Sequence, residues 1–185
     1  MLVLASASPR RLDLLRQIGL EPDAIDPPNT DETPGSRELP RAYALRMAVA
    51  KLAAIAPRHP VGAVVLAADS VVAVGRRILP KAETEAEARA CLALLSGRRH
   101  KVLGGVAVGC GGRVRTRLVE TAVRFKRLER SELEEYIRSG EWQGKAGGYA
   151  VQGRAASFVS FLSGSYSNVV GLPLFETLAL LKAVR

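Results

Sequence analysis

Apolar and polar residues change their spacing abruptly along this chain, and the changes mark out alternating strands and helices. Leu2-Val3-Leu4-Ala5 is a short buried-strand run, after which Leu12, Leu14, Leu15 and Ile18 fall at helical intervals. Ser8 suits an N-cap, Pro9 the first helical position and Gly19 the stop. Leu20 to Asp26 predicts a second short strand, and Pro27 to Gly35 is a loop by composition. Tyr43 to Ile55, behind Pro40, predicts a second helix with Leu45, Val49 and Leu52 inward. Ala63-Val64-Val65-Leu66-Ala67-Ala68 is almost continuously apolar, as in a strand covered on both faces, and predicts a strand ending at Asp69-Ser70. Val71 to Val74 resumes as strand, Gly75-Arg76 turns and Arg77-Ile78-Leu79 returns, a hairpin that carries Lys81 back toward Asp69.

The second half repeats the alternation with longer strands. Thr84 and Glu87 form a capping box before a helix through Ala88, Cys91, Leu92 and Leu95, closed by Gly97. His100 to Gly109 and Val114 to Arg127 read as antiparallel strands joined at Gly111-Gly112. Ser131 with Glu134 predicts another capping box, and the helix through Leu133 and Ile137 ends at Gly140. The glycine-dense stretch from Gly140 to Gly153 is either a phosphate nest or a tight structural corner. A strand follows around Phe158 to Leu162, and Pro173 opens a C-terminal helix with Leu174, Leu178 and Leu181 inward.

With 185 residues, 48% of them hydrophobic, this pattern builds one domain, or two small lobes sharing one sheet. No apolar run approaches the ~18 residues of a membrane span, and the N-terminus lacks the pattern of a secretory signal, so a cytoplasmic protein is expected. Cys91 and Cys110 lie outside any CxxC pair, and the only histidines are His59 and His100. Zinc is therefore not expected, and any metal would be a hard cation on oxygen ligands. A formal charge of +9 favours anionic partners. The basic residues are scattered in pairs such as Arg76-Arg77 and Arg98-Arg99, aromatics make up only 5%, and nucleic acid is not the expected partner.

Candidate chemistry gathers at two places. At Ser8-Pro9-Arg10-Arg11 a strand end meets a helix start, where unpaired amides, the positive end of the helix dipole and two arginines together suit a phosphate or carboxylate. Asp69 follows a buried strand, a costly place for a carboxylate, which makes it the leading acid-base or metal-ligand candidate; the competing reading is a turn aspartate bonded to its own backbone. Asp31 and Glu32 are either solvated loop charges or reach into the same site. Lys51 sits at the border of a core face, where a lysine ordinarily extends its ammonium into water.

Several segments in order, Leu4-Ala5-Ser6-Ala7-Ser8-Pro9-Arg10-Arg11, Asp31-Glu32, Ala68-Asp69-Ser70, Ser96-Gly97-Arg98-Arg99-His100, Lys145 to Gly153 and Val169-Val170-Gly171-Leu172-Pro173-Leu174, resemble the Maf family of nucleotide pyrophosphatases over the whole chain. The resemblance implies an α/β fold: an elongated mixed sheet with flanking helices, two lobes around a central cleft, and residues 1–185 forming one such domain. It also implies a homodimer that hydrolyses a nucleoside triphosphate between the α and β phosphates with Mg²⁺ or Mn²⁺. On this likeness Asp69 is the proton acceptor, Lys51 and Lys81 neutralise phosphate charge, and Glu32 joins Asp69 at the metal. Ser8, Arg10 and Arg11 meet the triphosphate, and Lys145 faces phosphate. Arg10, Ser70 and Gln152 match positions that select the base.

The segment Tyr149-Ala150-Val151-Gln152-Gly153 resembles the subgroup acting on dTTP and UTP, and a glutamine amide matches the donor-acceptor edge shared by uracil and thymine. Ser70 and Gly104 stand where the subgroup and the family usually have threonine. These departures imply looser selectivity at Ser70 and, at Gly104, a hydroxyl missing near the cleft, with either lowered activity or a widened pocket. Two alternatives keep the same residues: a pyrophosphatase for modified nucleotides in pool housecleaning, or a nucleotide- or nucleic-acid-binding regulator linked to septum formation.

Overall fold

The computed structural model describes residues 1–184. Its strands are β1 (Leu2–Ala5), β2 (Ala24–Ile25), β3 (Val64–Val74), β4 (Arg77–Leu79), β5 (Lys81–Ala82), β6 (Arg99–Cys110), β7 (Arg113–Phe125), β8 (Lys145–Ala146) and β9 (Val159–Ser163). The helices are α1 (Pro9–Gln17), α2 (Pro40–Ile55), α3 (Glu85–Leu95), α4 (Arg130–Ser139), α5 (Tyr166–Val170) and α6 (Leu174–Val184). A mixed sheet runs β2-β1-β3-β6-β7-β9, with β4 beside β3, and β5 pairs with β8 in a separate ladder. β1 is parallel to β2 and β3, whereas β3, β6, β7 and β9 are antiparallel neighbours. None of the described helices is long and apolar enough to cross a membrane.

The two-residue period of β3 sorts its side chains between two covers. Val65, Ala67, Val71 and Ala73 face α2 through its Ala44, Met47, Ala48, Leu52 and Ile55. Val64, Leu66 and Ala68 pack with Leu14 and Leu15 of α1 and with Leu180 and Leu181 of α6. Val72, on the same face as this second group, belongs instead to a cluster with Leu92 and Leu95 of α3 and Tyr136 of α4. Ser70, opposite Gly104, falls between these two clusters on the strand. The expected mixed sheet with flanking helices is what the chain forms.

Several details differ from the sequence pattern. β3 runs unbroken through Asp69 and Ser70, because β6 supplies ladder partners for Val65 through Ala73. Asp69 is thus a mid-strand residue, which removes the turn-aspartate alternative. Ser8 has the extended geometry of an N-cap but makes no capping hydrogen bond. The second capping box is Glu129 with Glu132, two residues earlier than Ser131 with Glu134, since Glu134 is drawn to Arg89 of α3 by a two-pronged ion pair. Only Ala24–Ile25 of the Leu20 to Asp26 stretch pairs as strand. The short helix α5, capped by Ser165 accepting from the Asn168 amide, carried no signal in the hydrophobic spacing.

Gly104, the ladder partner of Ser70, leaves no widened pocket beside it, contrary to the expectation. A Cβ there would stand 1.9 Å from Asn168 Oδ1. Asn168 is fully buried, and its amide donates to the carbonyls of Val102 and Val119 and to Thr121 Oγ1. The space beside Gly104 is therefore filled by an amide that ties β6, β7 and α5 together. Trp142 is likewise a packing residue, buried with its indole donating to the Ile137 carbonyl.

Candidate active site

The site sits where the sheet leaves one strand half unpaired. β1 accompanies β3 only to Ala67, and β4 begins opposite Val72, so residues 68–71 have a ladder partner on the β6 side alone. Asp69 and Ser70 project from this gap on opposite faces of the sheet. A cavity of about 350 Å³ opens there, lined by Ser8, Arg10, Arg11, Lys51, Asp69, Ser70, Lys81, Lys145 and Gln152 among others. Glu32 lines an adjoining notch of about 160 Å³ with Ser6, Ser8, Arg11, Lys51 and Lys81. All ten expected site residues therefore meet around one opening, whereas Asp31 stays in the exposed loop, accepting from the Thr33 amide.

Lys51 reaches Asp69 because α2 lies directly on the sheet. Gly105 pairs with Asp69 across the ladder, and a Cβ at Gly105 would fall 2.1 Å from the Ala44 carbonyl oxygen of α2. Only glycine permits that approach. Seven residues beyond Ala44, Lys51 occupies the same buried face, is only 5% exposed, and places Nζ 2.6 Å from Asp69 Oδ1. It does not extend into water as a border lysine ordinarily would. The same ammonium lies 2.7 Å from Glu32 Oε1, and Lys81 contacts Glu32 Oε2. The β3–β4 hairpin does bring Lys81 to the Asp69 side, and the β5–β8 ladder sets Lys145 beside Ala82.

Two carboxylates are thus interleaved with two ammonium groups, Lys51 and Asp69 buried at the floor and Glu32 and Lys81 toward solvent. Burial raises the Glu32 pKa, but hydrogen bonds from Lys51 and Lys81 outweigh it and hold the group below the ordinary glutamate value. Burial beside Asp69 and Glu32 pushes the Tyr43 phenol up to about 12, so it stays a neutral donor, bonded to the Glu32 carbonyl at 2.6 Å. Lys145 is lowered by burial and by the charge of Arg10. Five cations, Arg10, Arg11, Lys51, Lys81 and Lys145, face two carboxylates, an imbalance that attracts a polyanion.

Arg11 does more than add charge. Its Nε donates to the Gly171 carbonyl at 2.9 Å, Nη1 to Ser6 Oγ at 2.9 Å and Nη2 to Ser70 Oγ at 3.3 Å. Ser70 Oγ in turn donates to the Gly171 carbonyl. This fork locks the end of β1, the middle of β3 and the segment after α5 into one wall, and it engages the Ser70 hydroxyl. Spacing gave no sign of Ser6, Tyr43 or the Gly171 carbonyl as members of the site. Their roles come from side-chain direction and chain crossings that no local pattern encodes.

A group of three or more His, Cys, Asp or Glu side chains able to hold a metal does not occur among the described residues. The protein offers a cation Asp69 and Glu32 only, and because Lys51 occupies Oδ1 of Asp69, Oδ2 is left for an incoming partner. One or two carboxylates completed by phosphate oxygens is the donor set that suits Mg²⁺ or Mn²⁺. The residues present fit such an ion.

Curated relatives align over nearly the full chain. A protein of Rhodospirillum rubrum named dTTP/UTP pyrophosphatase is 65% identical over 97% of this chain and 86% of its own length. One of Caulobacter vibrioides with the same name is 62% identical over 99% of this chain and 95% of its own. A solved nucleoside-triphosphatase / dITP/XTP pyrophosphatase from Mycobacterium abscessus superposes with a TM-score of 0.42 at 19% identity, over 69% of this chain and 73% of that one. The family model described as Maf-like protein matches residues 1–184, the span that carries every part of the cleft, and the chain belongs to the Maf family.

Proposed function

We propose that this protein hydrolyses nucleoside triphosphates, dTTP and UTP by preference, to a nucleoside monophosphate and pyrophosphate. The observation that carries the reading is a carboxylate, Asp69, fixed by Lys51 at the floor of a cleft whose walls bear four further cations. Relatives at about 60% identity named for this activity support it. Asp69 Oδ2 takes a proton from water, the water oxygen bonds to the α-phosphorus, and the bridging P–O bond breaks with its electrons leaving on pyrophosphate. Lys51 and Lys81 offset the charge that builds on the phosphoryl oxygens.

The smaller notch, with Ser8, Arg11, Lys51 and Lys81 around it, has the size and charge for the leaving pyrophosphate. The larger cavity, with Arg10, Ser70, Tyr149 and Gln152, receives the nucleoside and α-phosphate. Gln152 pairs with the O4 and N3–H edge of uracil or thymine, and Arg11 holds Ser70 so that the wall keeps its shape. Asp69 and Glu32, the latter yielding one of its lysine contacts, would hold a Mg²⁺ or Mn²⁺, which would supply Lewis-acid polarisation of the phosphate. The reading extends to a cytoplasmic homodimer, whose dimeric state light scattering of the purified protein checks.

Hydrolysis of dTTP in H₂¹⁸O tests the reaction. Label found in dTMP establishes attack at the α-phosphorus. Label found in pyrophosphate, or release of orthophosphate, excludes the proposed chemistry.

A further inference from the structure

On the other side of Asp69 and Lys81 from the cationic cleft lies a second cavity of about 310 Å³. It opens onto the same carboxylate and shares Ser70 and Ala146 with the first. Its remaining wall is Glu32 together with the apolar surface of Tyr43, Val71, Ile78, Leu79, Pro34 and Pro80, so Lys81 is its only cation beside two carboxylates. The Tyr43 hydroxyl is already bonded to the Glu32 carbonyl, so Tyr43 offers the compartment ring surface rather than a donor.

These features decide what the compartment accepts. The doubly charged end of a free triphosphate gains nothing from an apolar wall and loses hydration there. A flat, uncharged ring gains by burial, and the volume nearly equals that of the nucleoside side of the cleft. Lys81 lines both cavities and the small notch, so it marks where a phosphate chain can pass from one to the other.

Resting on the triphosphate reading above, we infer that the compartment is a subsite for a second nucleoside and that the enzyme also hydrolyses dinucleoside polyphosphates. Water oxygen bonds to the phosphorus nearest the nucleoside in the larger cavity, and Asp69 receives the proton. The adjacent bridging P–O bond breaks, and the leaving group is a nucleoside diphosphate when the bridge has three phosphates. P¹,P³-dithymidine triphosphate thus gives dTMP and dTDP, one water consumed per molecule.

The test follows products from P¹,P³-dithymidine triphosphate and from dTTP by ion-exchange chromatography, for wild type, Ile78→Trp and Pro34→Trp. Neither substituted side chain lines the cationic cleft, and each indole would fill the apolar compartment. Expected is dTMP plus dTDP from wild type, and in at least one variant a loss on the order of 10-fold or more for the dinucleotide while dTTP turnover is retained. Turnover of dTTP without turnover of the dinucleotide overturns the second subsite and leaves the triphosphate reading standing. Equal loss of both substrates in both variants, or unchanged dinucleotide turnover in both, also overturns it. Failure of wild type on dTTP itself would instead remove the reading on which the subsite rests.

Discussion

Replacing Lys51 by methionine isolates the ion pair at the floor of the cleft. Methionine keeps the unbranched stem while removing the ammonium, so packing against α2 neighbours changes little. Lys51 is 5% exposed and Asp69 4%, so water does not replace the lost partner of Oδ1. Removing one member of a buried pair costs about 3–5 kcal/mol, because the remaining charge is left uncompensated. For a domain of this size each kcal/mol moves Tm by about 2–4 °C, which places the variant about 6–20 °C below wild type. Glu32 also loses its contact with Lys51, but it lies at the rim and keeps Lys81, so its share is small. The double variant Lys51→Met/Asp69→Asn removes both charges and should recover most of the loss in a thermal or urea double-mutant cycle. A Lys51→Met protein melting within about 2 °C of wild type would refute the reasoning, since a buried pair cannot be that weakly coupled.

Other consequences are separable. Burial holds the His100 pKa down at about 4, against about 6.5 in an unfolded chain, so the unfolded state takes up the proton first. The resulting stability is complete above about pH 6.5 and is lost as pH falls toward 4, and His100→Gln should flatten the fall in Tm over that window. Gly105→Ala would drive a methyl into the Ala44 carbonyl and should cost about 3 kcal/mol or more, read as poor folding or a large drop in Tm; full stability would show that α2 is free to move off the sheet. Gln152→Ala should narrow the preference for dTTP and UTP over CTP by roughly 10-fold, through loss of the paired edge, with stability unchanged because the side chain is exposed. Chelation by EDTA should lower turnover by on the order of 10²-fold or more and added Mg²⁺ should restore it, whereas turnover indifferent to EDTA would remove the ion from the account.

Much of this architecture is legible in spacing alone, and the omissions have physical reasons. The strand-to-helix switch at Ser8-Pro9, the Thr84–Glu87 cap and the long pair β6–β7 are local patterns, and the chain forms each of them. Asp69 and Lys51 were harder because the decisive facts are contacts between distant segments. The apolar run of β3 is interrupted by Asp69 in sequence, and only the β6 ladder and Lys51 beneath it carry the strand through. The stripe Ala44, Met47, Ala48, Lys51, Leu52, Ile55 was nevertheless present in the sequence, with Lys51 at a core-spaced position that a stricter reading of helical period would have marked as buried. The Ser131–Glu134 box failed because Arg89 competes for Glu134, and the clash at Gly104 depends on Asn168, sixty-odd residues away in an element without its own apolar period.

Asp69→Asn bears most directly on the central claim. The substitution keeps the volume and a hydrogen-bond acceptor for Lys51, while removing the basic oxygen that faces the cleft. Pyrophosphate release from dTTP, measured for wild type and variant at matched folded fraction, should fall by about 10²–10⁴-fold if Asp69 is the general base. Turnover of the variant within a few-fold of wild type would contradict the account, and would require a different group in the cleft to activate water.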